Sequence, residues 1–177
     1  MFQQILVPVD GSLTSMRGLE QAIDVARLAK GRLRLIHVVD ELSAAMAMDA
    51  YSSYAGDWTS LLRDNGAKLL ADCRQKVEAA GIAVDTVLRD TFDGPVHEVV
   101  TKEAASWPAE LIVLGTHGRR GAKRLFLGSS AEHILRSAPA PVLLVRAPEE
   151  AAEGEAEPTG ERESFRVHLP SGALALE

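Results

Sequence analysis

A loop rich in glycine and arginine is the part of the sequence whose residue types and spacing point most directly to chemistry. This glycine-rich loop (residues 115–128) is followed by Ser129 and Ser130, where the hydropathy pattern predicts that a helix begins. Glycines let a backbone turn tightly and approach a ligand closely. A helix N-terminus offers unpaired N–H groups and a positive dipole end. The loop also carries four basic side chains, namely Arg119, Arg120, Lys123 and Arg124.

This pattern favours a ligand that carries a chain of phosphates. The alternative is that the charges form a solvated surface and the glycines only shape a turn. The sequence has no Gly-x4-Gly-Lys-Ser/Thr run, which excludes a P-loop NTPase, and no Gly-x-Gly-x-x-Gly after its first strand, which counts against a dinucleotide enzyme.

Alternating strands and helices must position the glycine-rich loop. Apolar periodicity predicts five strands and four helices, and such alternation is typical of an α/β fold whose parallel sheet is covered by helices on both faces. The strands are expected at 2–9, 33–39, 82–89, 111–114 and 141–146, and the helices at 13–30, 57–80, 95–106 and 129–137. Ligands of such sheets bind beyond the carboxyl ends of the strands. The segments there are 8–12, 38–40 and the glycine-rich loop.

Capping signals refine the helix boundaries. Ser12 or Thr14 is expected to cap the first helix, and Gly31 is expected to end it. For the fourth helix, Ser129 or Ser130 is expected to serve as the cap.

Charge divides the 177 residues into two parts. Residues 1–146 carry 17 basic and 17 acidic side chains, whereas residues 147–177 carry two basic and eight acidic ones, so the whole net charge of −6 lies in the tail. We therefore predict one domain over 1–146 and an acidic, flexible tail over 147–177. The negative balance and the 5% aromatic content argue against a nucleic-acid partner.

A cytoplasmic location is expected. The single cysteine, Cys73, allows no internal disulfide. The N-terminus begins with a strand-like run instead of a signal peptide, and no apolar run is long enough to span a membrane, so no membrane partner is expected.

The spacing Gly115-x2-Gly118-x9-Gly128-Ser129 resembles the Gly-2x-Gly-9x-Gly-Ser/Thr signature of ATP-binding universal stress proteins. The opening run 5–12 and the closing run 141–145 are also similar to that family, and the resemblance covers 1–146 in order. It implies a single-domain, Rossmann-like (adenine nucleotide α-hydrolase-like) fold with an open five-stranded parallel sheet of order 3-2-1-4-5. It also implies a homodimer that pairs through the last strand, at about residues 141–146. The acidic tail departs from the family pattern.

The resemblance further implies that ATP is the ligand, together with Mg²⁺ or Mn²⁺. Asp10 would contact the ribose or a metal-linked phosphate region, and the adenine would lie against Pro8, Val9 and Val38, with Val39 beside them. The ribose and phosphates would be held by Gly115, Thr116, His117, Gly118, Arg119, Arg120 and Gly121. The later phosphates would bind at the helix start, to Gly128, Ser129, Ser130 and Ala131. For His117 a spacer role fits the signature equally well.

Other reactive side chains are assigned to packing. Cys73 lies on the apolar face of its predicted helix, without an activating base that the sequence can place. His37 is interpreted as a packed strand residue. His97, His133 and His168 are scattered and lack metal-ligand spacing. Three aromatic side chains could cover the site as a lid or could simply pack, namely Tyr51, Tyr54 and Trp58.

The leading hypothesis is an ATP-binding switch or sensor in the stress response. Hydrolysis is expected to be slow at most, because no Walker-type lysine and no obvious general base are present. One alternative is a dimeric adaptor that binds a protein partner without using nucleotide. Another is an adenylating enzyme, which needs a substrate pocket and usually a longer chain. The acids of the tail could also compete with phosphate for the cations of the glycine-rich loop.

Overall fold

A computed structural model describes residues 2–40, 55–91, 94–116 and 127–146 of the chain. Strands and helices alternate as the sequence predicts. The elements are β1 (Gln4–Pro8), α1 (Leu13–Ala29), β2 (Arg32–Val39), α2 (Ala55–Ala79), β3 (Val84–Asp90), α3 (Val96–Ser106), β4 (Leu111–Gly115), α4 (Ser129–Ser137) and β5 (Val142–Val145). The chain divides into two units at Ala147–Pro148, and every described residue lies in the first unit. The predicted flexibility of the tail therefore lies outside the described residues.

The five strands form one parallel sheet in the order β3-β2-β1-β4-β5, which confirms the predicted fold class. β1 lies at the centre, paired with β2 on one side and β4 on the other. The order of strands along the chain reverses on either side of β1. In open parallel sheets, such a reversal opens a crevice at the carboxyl ends of the strands, where ligands bind.

Two apolar cores lie on opposite faces of the sheet. Because side chains alternate along a strand, Ile5 and Val7 of β1 belong to the core under α1 and α2, whereas Leu6 belongs to the core under α3 and α4. All three are fully buried. This two-sided burial explains why the strands are nearly continuous apolar runs.

An ion-pair network anchors α3 to the sheet. Arg34 of β2 donates two hydrogen bonds to Asp85 of β3, each 2.8 Å long, and a third of 2.8 Å to Glu103 of α3. Glu103 is only 6% exposed and also accepts a 3.1 Å hydrogen bond from Arg89. The hydrogen bonds to Asp85 raise the pKa of Arg34 above its ordinary value. The Arg34 guanidinium lies 4.6 Å from the centre of the Trp107 ring, which adds a cation–π contact.

The ends of α1 match the capping predictions only in part. Ser12 is the N-cap, as predicted, and its side chain accepts a 3.2 Å hydrogen bond from the backbone of Ser15. The prediction that Gly31 ends this helix is wrong by one residue, since Lys30 takes the left-handed conformation with φ 53°. Gly31 is instead required by close packing, because a Cβ atom there would lie 2.8 Å from the carbonyl oxygen of Phe2.

The start of α4 corrects a second capping prediction. The N-cap is Gly128, which has no side chain that could cap the helix, so the prediction that Ser129 or Ser130 is the cap is wrong. Gly128 occupies the cap position because its N–H donates a 2.8 Å hydrogen bond to the carbonyl of Thr116. That bond places the turn at Gly128 and moves both serines into the first helical turn.

Across the ranges that the structure describes, no helix is long and apolar enough to cross a membrane.

Candidate functional site

Three of the strands end side by side at one edge of the sheet, which we call the carboxyl edge. Asp10 follows β1, Val38 and Val39 end β2, and Thr116 follows β4. Since β1 is paired with both β2 and β4, these residues meet where the strand order reverses. The structure therefore brings together the described parts of the segments in which the sequence predicts ligand-binding residues.

The turn after β1 is fixed by hydrogen bonds to its backbone. The N–H of Val9 donates to the carbonyl of Ile36 over 2.9 Å, which extends the pairing with β2. The N–H of Asp10 donates to Ser15 Oγ over 3.1 Å, and Asp10 Oδ1 accepts a 2.9 Å hydrogen bond from the N–H of Ser12. Gly11 has φ 81°, a conformation that favours glycine. The half-buried Asp10 carboxylate is thus held in a defined place at the carboxyl edge.

Gly115 has a packing role that the sequence does not reveal. A Cβ atom there would lie 2.7 Å from the carbonyl carbon of Thr14 and 2.8 Å from the backbone nitrogen of Ser15, both in the first turn of α1. On the other side of this crossing, a Cβ atom at Gly18 would lie 3.4 Å from the nitrogen of Gly115. The close approach of helix and strand thus requires glycine at 115, whatever the site binds.

The two ends of the glycine-rich loop are held together through Thr116. Its carbonyl accepts the hydrogen bond from Gly128, and its N–H donates to the carbonyl of Val145 over 2.9 Å. Thr116 itself is buried. The start of α4 is therefore fixed beside the end of β4, at the carboxyl edge. Five of the predicted site residues lie outside the described residues, namely His117, Gly118, Arg119, Arg120 and Gly121.

The N-terminus of α4 has the features of an anion site. The first N–H groups of a helix have no acceptor within the helix. In α1 the side chain of Ser12 accepts from one of them, whereas the cap residue of α4, Gly128, has no side chain to do so. Ser129 and Ser130 are exposed, and Ala131 behind them is buried in the core. The partial positive charge of these N–H groups, together with two exposed hydroxyls, suits a phosphate group.

The residues predicted to surround adenine divide between the two faces of the sheet. Val38 is half-buried and packs against the core under α3 and α4. Pro8 lies two residues after Leu6 in β1, so its side chain is on the same face of the sheet. Val9 and Val39 are each only 3% exposed, and Val9 belongs to the core under α1 and α2. A ligand at the carboxyl edge can thus contact the side chains of Pro8 and Val38, whereas Val9 and Val39 support the site from within the core.

The interpretation of Cys73 and His37 as packed residues is confirmed. Both side chains are buried. Burial raises the pKa of the Cys73 thiol, whose Sγ lies 3.9 Å from Met16 Sδ. The Nδ1 atom of His37 lies 2.7 Å from the carbonyl oxygen of Val9.

Two of the histidines that appear scattered in the sequence meet in space. The rings of His97 in α3 and His133 in α4 are stacked with their centres 4.6 Å apart. Within the described ranges, no group of three or more His, Cys, Asp or Glu side chains is placed to hold a metal ion. The proposed lid residues Tyr51 and Tyr54, and the side chain of Trp58, lie outside the described part of the chain.

Comparisons with known proteins agree with this architecture. The sequence profile of the Universal stress protein family matches residues 1–146. Universal stress protein MJ0531 of Methanocaldococcus jannaschii is 32% identical over 151 residues, which cover 84% of each chain. The crystal structure of a universal stress protein family member from Burkholderia pseudomallei superposes with a TM-score of 0.66, at 30% identity, over 82% of this chain and 97% of that one.

A more distant structure shares the fold. A universal stress protein family protein from Arabidopsis thaliana, solved with AMP bound, has a TM-score of 0.57 at 18% identity, and the match covers 84% of this chain and 94% of that chain. The profile match over most of the chain, together with the sheet order and the close relatives, establishes that this chain belongs to the universal stress protein family.

Proposed function

We propose that this protein binds ATP at the carboxyl edge of its sheet and acts as a nucleotide-dependent switch or sensor in the stress response. The observation that carries the proposal is the glycine-capped N-terminus of α4, which the hydrogen bond between Gly128 and Thr116 holds beside the strand-order reversal. The full glycine signature, Gly115, Gly118 and Gly128-Ser129, is present in the sequence. That a structure in the same family holds AMP adds support for an adenine nucleotide.

The described residues fit the parts of such a ligand. The exposed start of α4, at Ser129 and Ser130, suits the outer phosphates because its cap residue, Gly128, has no side chain that could occupy the first N–H groups of the helix. Asp10 follows β1 at the same carboxyl edge, where its carboxylate can accept hydrogen bonds from ribose hydroxyls or contact a divalent cation such as Mg²⁺ or Mn²⁺. Pro8 and Val38 offer apolar contact for the base.

Slow hydrolysis at most is part of the proposal. Phosphoryl transfer depends on groups that stabilise the transferring phosphate and position the attacking water. The sequence lacks the Walker lysine that serves this purpose in P-loop enzymes. Bound ATP would therefore stay intact, so the fraction of occupied sites would follow the ATP concentration.

We further propose that the protein is a cytoplasmic homodimer that pairs through β5. This strand ends the sheet and is paired only with β4 among the described strands, so its other edge presents backbone groups for pairing. Leu143 of β5 is 36% exposed, which gives that edge an apolar side chain to bury. A dimer that recruits a partner without nucleotide is the alternative function.

A substitution at the start of α4 can test whether ATP binds there, because it should weaken ATP binding without lowering the stability of the protein. Ser129→Asp places a negative charge at the first helical residue, where the helix dipole favours it, so thermal stability should hold or rise slightly. The same charge repels phosphate, so ATP affinity measured by titration calorimetry should fall about tenfold or more.

The matched control is Ser137→Asp, at the last residue of the same helix. There the dipole disfavours a negative charge, so stability should fall slightly while ATP affinity stays unchanged. If Ser129→Asp binds ATP as tightly as the unmodified protein, the phosphates do not bind at α4 and the proposed site is wrong.

A further inference from the structure

The peptide that joins Val9 to Asp10 is held at both of its polar atoms by buried side chains from other elements. His37 Nδ1 of β2 lies 2.7 Å from the carbonyl oxygen of Val9, and Ser15 Oγ of α1 accepts the N–H of Asp10 over 3.1 Å. His37 is 8% exposed and Ser15 is 5% exposed. A carbonyl oxygen only accepts hydrogen bonds, so Nδ1 of His37 must carry a proton and donate it.

The imidazole of His37 is a polar ring on a face of β2 that is otherwise apolar at its neighbouring positions. The strand neighbours that share its face of the sheet, Leu33 and Leu35, are apolar and fully buried, as expected for a strand that packs under a helix. Burying a polar ring there costs free energy unless the ring makes a hydrogen bond. The contact with Val9 satisfies that requirement, and it lies one residue before Asp10.

The ring is also confined from the opposite side by α2. A Cβ atom at Gly66 would lie 2.7 Å from His37 Cδ2 and 3.2 Å from Nε2, so the helix backbone closes directly over the imidazole. The ring therefore has little freedom to turn away from Val9. The His37 side chain thus contacts both α2 and Val9, the residue that follows β1.

We propose that His37 is a positioning residue of the nucleotide site, a role that rests on the proposed binding of ATP. By holding the Val9 carbonyl, it fixes the plane of the peptide that leads into Asp10. Ser15 holds the N–H group of the same peptide. The Asp10 carboxylate is then oriented by the hydrogen bond that it accepts from the N–H of Ser12. A mobile peptide would spread the carboxylate over several positions, and nucleotide binding would have to order it first.

The test compares two substitutions of His37 by titration calorimetry of ATP and by amide hydrogen exchange in the full chain. In His37→Asn the side-chain amide nitrogen replaces Nδ1 as a donor, whereas His37→Leu has no donor. We expect His37→Leu to lose about tenfold or more in ATP affinity and to speed exchange of the Asp10 amide, and His37→Asn to recover most of both.

A stability control separates positioning from packing. Val77→Ala removes buried volume from α2, in the same core, without touching the Val9–Asp10 peptide. It should lower the free energy of unfolding while leaving ATP affinity and Asp10 exchange unchanged. If His37→Leu binds ATP like the unmodified protein, or if Val77→Ala loses as much affinity as His37→Leu, the positioning role is wrong. If the unmodified protein itself fails to bind ATP, the proposed function is overturned, and the Asp10 exchange rates alone then decide whether His37 fixes this peptide.

Discussion

At the scale of single residues, burial separates reactive groups from structural ones. Cys73 is the one cysteine of the chain, and its side chain is fully buried between α1 and α2. Removal from water disfavours the thiolate and raises the pKa of Cys73, so the thiolate fraction at any given pH is smaller than for an exposed cysteine. This residue packs and does not react.

Labelling with a thiol reagent checks this prediction. At pH 8 the native protein should react far more slowly than a small thiol, and denaturant should release one reactive thiol per chain. Rapid labelling of the native protein, with its fold intact, would show that Cys73 is accessible and that its assignment to the core is wrong.

The Arg34 network should contribute more to stability than the exposed ion pairs of the helices. Glu103 is 6% exposed and joins two arginines, so Glu103→Ala should lower the free energy of unfolding by about 2 kcal/mol or more in urea denaturation. The comparison is Glu78→Ala, which breaks the pair with Arg74 on the surface of α2, where both side chains are 51% exposed. A surface pair of this kind is worth about 0.5 kcal/mol. Equal losses in the two variants would contradict the structural importance of the network.

At the scale of helices and strands, close approach decides which glycines are indispensable. A Cβ atom at Gly115 would overlap backbone atoms of α1, which cannot move aside as a side chain can. Gly115→Ala should therefore destabilise the protein by about 2 kcal/mol or more in denaturant unfolding, with or without nucleotide.

Gly18 provides the matched comparison from the helix side of the same crossing. There an added Cβ makes an ordinary contact of 3.4 Å, and alanine favours a helix by up to about 1 kcal/mol over glycine. Gly18→Ala should thus be neutral or slightly stabilising. If both variants lose the same stability, Gly115 is not packed more tightly than Gly18 where α1 crosses β4, which contradicts the structure.

Much of the element pattern can be predicted from the sequence because it depends on local periodicity. The alternation of strands and helices follows from apolar spacing, and the boundaries are close, as for the strand predicted at 82–89 and found at Val84–Asp90. Ile82 is buried like a strand residue but precedes the ladder, which begins with a hydrogen bond from Leu33 to Ala83. The apolar pattern of the sequence therefore does not distinguish a buried residue within a strand from one just before it.

The contacts between distant segments could not be predicted in this way. Arg34 and Glu103 are 69 residues apart in the chain, and the reason for Gly115 lies in α1. Serines are good caps, which predicts Ser129 or Ser130 at the start of α4. The cap is instead Gly128, whose N–H donates to the carbonyl of Thr116. Such features depend on which elements the fold brings together.

At the scale of the whole molecule, the edge of β5 that pairs with no other described strand should determine assembly. Leu143→Asp places a charge on this edge and should convert the proposed dimer to a monomer in light scattering, while ATP binding by each chain persists. Leu28→Asp is the control, since Leu28 lies in the last turn of α1, is 85% exposed and is not part of β5. A dimer that survives Leu143→Asp would rule out pairing through this strand.

A calorimetric titration of the full chain with ATP in the presence of Mg²⁺ decides whether the carboxyl edge binds nucleotide. We expect one site per chain with micromolar affinity, for a nucleotide held at the start of α4 and beside Asp10. A folded protein that releases no heat up to millimolar ATP would contradict it. The glycine-rich loop would then be an inherited shape, and the adaptor function would become the better description.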